Sequence, residues 1–150
     1  MKSSSRFAVA VHILTLAMLA RSEAEGGLVT SARMADSVNT NPVVVRRILG
    51  ALRNAGLVTS QPGPHGGWRL ARPPEQMTLL DVYRALEEDP IFALHHNPPS
   101  PPCVVGRHMG SVLGAVFREA ESAMERTLAE VTVAEVIDEV VEKFAACRRL

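Results

Sequence analysis

Two cysteines, Cys103 and Cys147, are the only thiols in the 150-residue chain. Cys103 follows four prolines within five residues and precedes a segment with helical periodicity. A helix N-terminus stabilises a thiolate, and Arg107 and His108 lie one turn further on. We therefore expect Cys103 to be a redox-sensing thiol open to oxidation or mixed-disulfide formation. The alternative, equally supported, is a small apolar residue packed under the loop, whereas Cys147 near a helix C-terminus is expected to be inert.

A thiol enzyme is a less favoured interpretation of Cys103. Nucleophilic catalysis needs a base and an oxyanion site within a pocket. A histidine could serve as the base, but the sequence offers no third partner, and its helices are too few to enclose a cleft. We therefore expect no catalytic residues and no enzymatic activity.

A second group of polar residues is typical of base recognition in duplex DNA. Asparagine pairs with adenine, arginine pairs with guanine or phosphate, and valine or threonine contacts the thymine methyl group. The residues of this kind at the start of one predicted helix are Asn39, Thr40, Asn41, Pro42, Val43, Val44, Arg46 and Arg47. Free backbone N–H groups at Val43 and Val44 could hold a phosphate. His65 and Arg69 lie where a hairpin would meet the minor groove or the DNA backbone.

The elements that must position these residues follow from periodicity and capping signals. The segment from Ser5 to Ser22 is apolar around most of its circumference, which predicts a buried helix. Thr30 caps a short second helix, and Asn41 caps a third that starts at Pro42 and ends near Asn54. The buried stripe predicted for this third helix consists of Val45, Ile48, Leu49 and Leu52.

A β-hairpin is predicted for residues 57–71, after a left-handed cap at Gly56. Its strands flank a turn of prolines and glycines at 62–67. The order helix, short helix, turn, helix, hairpin is that of a winged helix-turn-helix. A solvated polar face is the alternative for any single helix, but this order favours DNA binding.

The remaining chain predicts helices around a proline-rich loop at 89–102. Capping pairs at Thr78 with Asp81 and at Thr132 with Glu135 start two of them, and the longest runs from Cys103 to about Ala129. The apolar stripe of this longest helix contains Met109, Val112, Leu113, Val116, Phe117, Ala120 and Met124. The stripe spans roughly six helical turns, which is more apolar surface than the core of so small a chain can easily bury. This length favours a homodimer interface. Packing within the monomer is the alternative.

Charge is distributed unevenly although the formal net charge is zero. Residues 1–72 hold nine basic and three acidic side chains, which gives +6, and residues 73–150 hold seven and thirteen, which gives −6. Such asymmetry indicates a basic surface for a polyanion beside an acidic module. We expect duplex DNA to contact only the N-terminal half.

The apolar run at residues 7–20 resembles a signal peptide, but two features argue against one. His12 and Thr15 interrupt the run, which is also shorter than the ~20 residues of a membrane span. Two cysteines are too few for a disulfide framework, and free thiols are consistent with a reducing cytosol. We therefore expect a soluble, cytoplasmic protein with no membrane partner.

Several motifs together resemble the Rrf2 family of bacterial winged-helix regulators, of the IscR, NsrR and CymR type. Ser5–Val9 resembles the opening helix of the family, and Leu52–Val58 resembles its passage from helix to wing. Gly66-Gly67-Trp68-Arg69-Leu70 resembles the Gly-Gly-Tyr-Arg-Leu wing signature, and Met77–Val82 resembles the helix that follows. The match covers nearly the whole chain. It implies a dimeric repressor or activator whose long C-terminal helices pair the subunits.

The loop before the long helix departs from many members of this family. Those members ligate an iron–sulfur cluster through three cysteines there, whereas this chain has only Cys103. A cluster with three thiolate ligands from that loop is therefore excluded, and we expect no metal or cofactor, although His95, His96 and His108 are possible substitutes. The combination of residues 39–47 with the motif Cys103-Val104-Val105-Gly106 resembles a cluster-free, HypR-like branch that includes thiol-based sensors of oxidants.

These observations together predict a mainly α-helical protein with a small β-hairpin. Residues 1–73 would form the winged helix-turn-helix domain, 74–102 a linking helix and sensor loop, and 103–150 the dimerisation helices. We expect a dimeric, sequence-specific transcriptional regulator, favoured as a repressor, that binds a palindromic operator in double-stranded DNA. Modification of Cys103 would change the spacing of the recognition helices. Sensing of a small ligand, metal or cluster in the 89–108 loop is the alternative.

Overall fold

The computed structural model describes residues 3–23, 25–86 and 91–147. Helices dominate these residues, and the one sheet among them has two strands. The helices and strands are α1 (Ser3–Leu19), α2 (Ser31–Val38), α3 (Pro42–Asn54), β1 (Val58–Gln61), β2 (Gly67–Leu70), α4 (Leu79–Leu86), α5 (Val104–Glu130) and α6 (Val133–Cys147). The predicted fold class is therefore confirmed. The helix that starts at the Thr78–Asp81 pair is predicted from the sequence to continue to about Glu88, and that end lies outside the described residues.

The chain divides into two compact units, residues 1–87 with 129–150 and residues 88–128. This division differs from the predicted boundaries because α6 belongs to the unit of the winged helix. Backbone N–H groups of Leu79 and Val133 donate to the carbonyls of Val131 and Met77, both at 2.8 Å. Burial of Val133 and Ile137 in the core of that unit supplies the apolar reason for the arrangement.

Helix α1 is the centre of the first unit. It contacts α2, α3, α4, α6 and β2. Ala10, Ile13, Leu14 and Ala17 are at most 2% exposed. This confirms the prediction that the apolar first helix is buried, although its last turn, from Ala20 to Ser22, tightens into a 3-10 helix.

Helices α2 and α3 form the helix-turn-helix that the capping signals predicted. The Thr30 hydroxyl accepts from the backbone N–H of Arg33 at 3.2 Å and caps α2. The chain then turns through Asn39, whose φ of 56° is left-handed. Asn41 caps α3, and the predicted stripe of Val45, Ile48, Leu49 and Leu52 is fully buried, so the core fixes which face of α3 meets solvent.

The hairpin is the wing of this unit. Strands β1 and β2 pair antiparallel, with Val58 opposite Leu70 and Gln61 opposite Gly67. Gly56, with φ of 72°, ends α3 in the left-handed conformation that was predicted. The turn requires glycine at position 66, since a Cβ there would overlap the carbonyl of Gln61.

The second unit consists of the loop at 91–103 and most of α5. Phe92 and Phe117 stack with ring centroids 5.0 Å apart. A Cβ at Gly106 would lie 2.5 Å from the Pro99 Cβ, so the loop and the first turn of the helix are in close contact. No residue of α5 is buried in the part of the chain that is described.

Candidate nucleic-acid interface

The first half of α3 and the turn that precedes it present the residues that were predicted to read bases. Asn39, Asn41, Pro42, Val43, Arg46 and Arg47 are exposed, while Thr40 and Val44 are half-buried. The core holds the opposite face of the helix, as described above. This placement is that of a recognition helix whose N-terminal residues can enter a major groove.

Arg46 and Arg47 carry the positive charge of this surface. Within the described residues, neither guanidinium group forms an ion pair or a hydrogen bond. Each is therefore available to a phosphate or to the O6 and N7 atoms of guanine.

One detail of the predicted phosphate contact is wrong. The N–H of Val43 donates to Asn41 Oδ1 at 2.8 Å, and the N–H of Val44 donates to the Asn41 carbonyl at 3.0 Å. Neither N–H is free to hold a phosphate, because the N-cap that starts the helix already satisfies both. The interface therefore depends on side chains at this end of α3.

The wing carries the other two predicted DNA contacts. His65 is exposed in the turn, and Arg69 is exposed on β2. Trp68 is half-buried beneath the Arg53 guanidinium, which lies 5.9 Å from the ring centroid. The backbone of Trp68 also exchanges hydrogen bonds of 2.8 and 2.9 Å with Val29. The wing is therefore tied to the segment that leads into α2.

The structure adds polar residues that the sequence reasoning missed. A cavity of about 320 Å³ lies between the start of α2 and the wing. Hydroxyl and amide groups from Thr30, Ser31, Ser60 and Gln61 line it. The signal that the sequence offered for these residues was the pair of hydroxyls at the start of α2. Such groups commonly contact DNA phosphates.

Cys103 lies immediately before α5 and is exposed. Its Sγ accepts a hydrogen bond from the backbone N–H of Gly106 at 3.4 Å, which is a capping contact in the first turn. Because it is exposed, Cys103 is not a residue packed under the loop, and that alternative is wrong. Cys147 is also exposed, as the last residue of α6.

The residues around Cys103 do not fit an iron–sulfur cluster held by three thiolates. The chain has one cysteine in this loop. His95, His96 and His108 are exposed, and no three histidine, cysteine or acidic side chains in the described ranges are grouped to hold a metal ion.

The predicted dimer stripe lies along α5. Val112 and Val116 are 60% and 57% exposed, and Ala120 is exposed as well. The other four predicted members, Met109, Leu113, Phe117 and Met124, are half-buried. Val116 and Ala120 also line a shallow apolar groove with Ala115 and Ala123. Within the described ranges, Val112, Val116 and Ala120 are thus apolar side chains of α5 that remain exposed.

None of the helices in the described residues is both long enough and apolar enough to cross a membrane.

Comparisons with known proteins place this architecture among regulators. The profile of the Rrf2 family, described as an iron-dependent transcriptional regulator, matches residues 3–139. YwnA of Bacillus subtilis, named as an HTH-type transcriptional regulator, is 40% identical over 136 residues, which are 90% of this chain and 96% of YwnA. A crystal structure of a protein described as DNA-binding superposes with a TM-score of 0.69 at 36% identity and covers 88% of this chain and 98% of its own. The T. potens IscR structure shares the fold, with a TM-score of 0.67 at 22% identity over 93% of this chain and 88% of its own.

Proposed function

Because the chain belongs to the Rrf2 family of transcriptional regulators, we propose that it is a homodimeric repressor that binds a palindromic operator through α3 and the wing. Membership in this family makes the chain a DNA-binding transcriptional regulator and not an enzyme, as predicted. The observation that carries the proposal is the exposed first half of α3, where Arg46 and Arg47 are unpaired among the described residues.

Operator binding is supported by the chemistry of α3 and by the charge of the N-terminal half. Asn39 can pair with adenine, and Arg46 and Arg47 can pair with guanine or phosphate. The Oδ1 of Asn41 caps α3, so Asn41 offers a base its side-chain N–H donors. The net charge of +6 over residues 1–72 attracts the backbone, while the net charge of −6 over residues 73–150 repels it. The duplex would therefore cross the face formed by α3 and the wing.

The homodimer is supported by the exposed stripe on α5. One helix-turn-helix contacts few base pairs, so regulators of this kind use two copies on two half-sites. Val112 and Val116 are more than half exposed in the single chain. A two-fold pairing of α5 helices would bury the same stripe twice and set the distance between the two recognition helices. Repression is the simplest outcome, since a dimer on promoter DNA excludes polymerase by occupancy.

Redox control is supported by the position of Cys103. Hydrogen peroxide would transfer one oxygen to the thiolate, which is oxidised by two electrons to sulfenic acid, and the second oxygen would leave as hydroxide. The added oxygen alters the sulfur that accepts the Gly106 N–H, in the turn where Gly106 meets Pro99 closely. The change would disturb the start of α5 and hence the dimer spacing. The proposed regulator needs no resident metal or cluster.

Selection of operator sequences from random duplex DNA, with reduced and with peroxide-treated protein, tests these proposals together. We expect the reduced protein to enrich an inverted repeat and the oxidised protein to bind it more weakly. Cys103→Ser should keep the operator and lose the peroxide response, whereas the matched control Cys147→Ser should keep both. An unchanged peroxide response in Cys103→Ser would refute the thiol proposal, and enrichment of a single unrepeated motif would refute the dimer.

A further inference from the structure

A cavity of about 700 Å³ lies at the base of the wing, and neither α3 nor the wing tip lines it. The end of α1, the glycines at 26–27 and the stretch from Arg69 to Glu75 form its walls. This volume is within the range of small-molecule sites in proteins. All of these residues belong to the unit that contains the helix-turn-helix.

Three arginines from distant parts of the sequence line this cavity: Arg21, Arg69 and Arg72. Within the described residues, the guanidinium groups of Arg21 and Arg69 form no hydrogen bond or ion pair. Arg72 donates to Asp81 Oδ2 at 3.1 Å, while its Nε is buried with no partner among the described residues. The unused donors that a ligand in the cavity could reach are therefore those of Arg21 and Arg69, because the Arg72 Nε is buried.

The chemistry of the walls indicates the class of ligand. Glu75 is the one acidic side chain among the lining residues, and Met18, Leu70 and Pro74 supply apolar surface. The two unpaired guanidinium groups carry two positive charges, whereas a carboxylate carries one negative charge. A phosphate matches them better, because it has more negative charge and guanidinium groups bind it through paired hydrogen bonds.

We propose that this cavity is a binding site for a phosphate group, separate from the base-reading face of α3 and sharing Arg69 with the predicted contacts of the wing. The phosphate could belong to a small phosphorylated molecule or to the DNA backbone beside the operator. Both sources share the chemistry of recognition by Arg21 and Arg69. The binding itself does not depend on the proposed operator or dimer.

The position of the site couples it to DNA binding. Arg69 belongs to β2, and Trp68 next to it is bonded through its backbone to Val29, which precedes α2. A phosphate held in the cavity would therefore restrain the wing relative to the helix-turn-helix. By linkage, a free phosphorylated ligand would change operator affinity, and the operator would change affinity for the ligand by the same factor.

Isothermal titration of the full chain with inorganic pyrophosphate, at constant ionic strength and without DNA, tests the site. We expect Arg21→Gln to weaken binding by about tenfold, the value of one charge-assisted contact. Lys143→Gln, which removes an exposed positive charge from α6, should bind as the unaltered chain does. Glu75→Gln should bind more tightly, which gives a change of opposite sign that a damaged fold would not produce.

The salt dependence of operator binding distinguishes the two sources of phosphate. If the DNA backbone enters the site, Arg21→Gln should lower the slope of log K against log salt by about one. If the ligand is a free molecule, the slope stays unchanged and pyrophosphate alters operator affinity only while Arg21 is present. The proposal is overturned if Arg21→Gln changes neither pyrophosphate binding nor the slope. Failure of the unaltered chain to select an operator would count against the proposed function. The pyrophosphate titration contains no DNA, so it would still test the phosphate site.

Discussion

The double substitution Val112→Ser with Val116→Ser should separate the proposed dimer into monomers. The two side chains are 60% and 57% exposed in the single chain, so this is the fraction that a partner helix could still bury. Full burial of a valine is worth about 1.5 kcal/mol at the lower end, which gives about 0.9 kcal/mol for each side chain. Two residues on two copies then contribute about 3.5 kcal/mol, because a two-fold interface counts each residue twice.

This free energy corresponds to a dimer dissociation constant that is about 300-fold weaker, since about 1.4 kcal/mol is a factor of ten. Sedimentation equilibrium over a wide range of protein concentration measures that constant. The matched control is Val140→Ser with Val141→Ser, which changes two valines of 43% and 45% exposure on α6. The control should keep the dimer.

The reasoning is refuted if the α5 variant keeps the dissociation constant of the unaltered chain while its circular dichroism is unchanged. It is refuted equally if the α6 control dissociates to the same extent, because the stripe on α5 would then not be the interface.

Three further predictions concern the first unit. Arg47→Gln should weaken operator binding and, if Arg47 contacts a phosphate, lower the salt slope by about one; an unchanged affinity would remove Arg47 from the interface. Asn41→Ala should cost about 1 kcal/mol of unfolding free energy, because the N–H of Val43 loses its cap, while Asn41→Ser should lose much less in urea titrations. Hydrogen bonds from the Thr132 backbone and then from its hydroxyl lower the pKa of Glu135. A lowered pKa stabilises the fold above the ordinary pKa of glutamate, so this contribution should vanish as pH falls through the lowered pKa, and Glu135→Gln should not show that loss in thermal melts.

Local signals were sufficient to predict the winged helix. Asn41 and Pro42 define the start of α3, and its apolar stripe has helical spacing, so capping and periodicity give the same helix as the structure. Gly66 of the wing is required by the close approach of the Gln61 carbonyl within the same short turn. These features depend on neighbours a few residues apart, which is why one sequence reveals them.

Features that depend on distant residues were missed. The spacing of Val133 and Ile137 in α6 does not reveal that they pack in the core with α1. Arg21 and Arg72 are separated by fifty positions, and only the folded chain brings them to one cavity. The N–H groups of Val43 and Val44 were predicted to be free, although Asn41 was correctly predicted to cap α3. The prediction overlooked that both N–H groups donate to Asn41 as part of this cap.

Hydroxyl-radical footprinting of the unaltered protein on a selected operator tests the central claim most directly. Two copies that each insert α3 into a major groove should protect two patches of backbone, related by a two-fold axis and centred about 34–36 Å apart or at a multiple of one helical turn. In the double variant Arg46→Gln with Arg47→Gln, protection should disappear from both patches. A single protected patch, or protection that survives the loss of both arginines, would contradict the account.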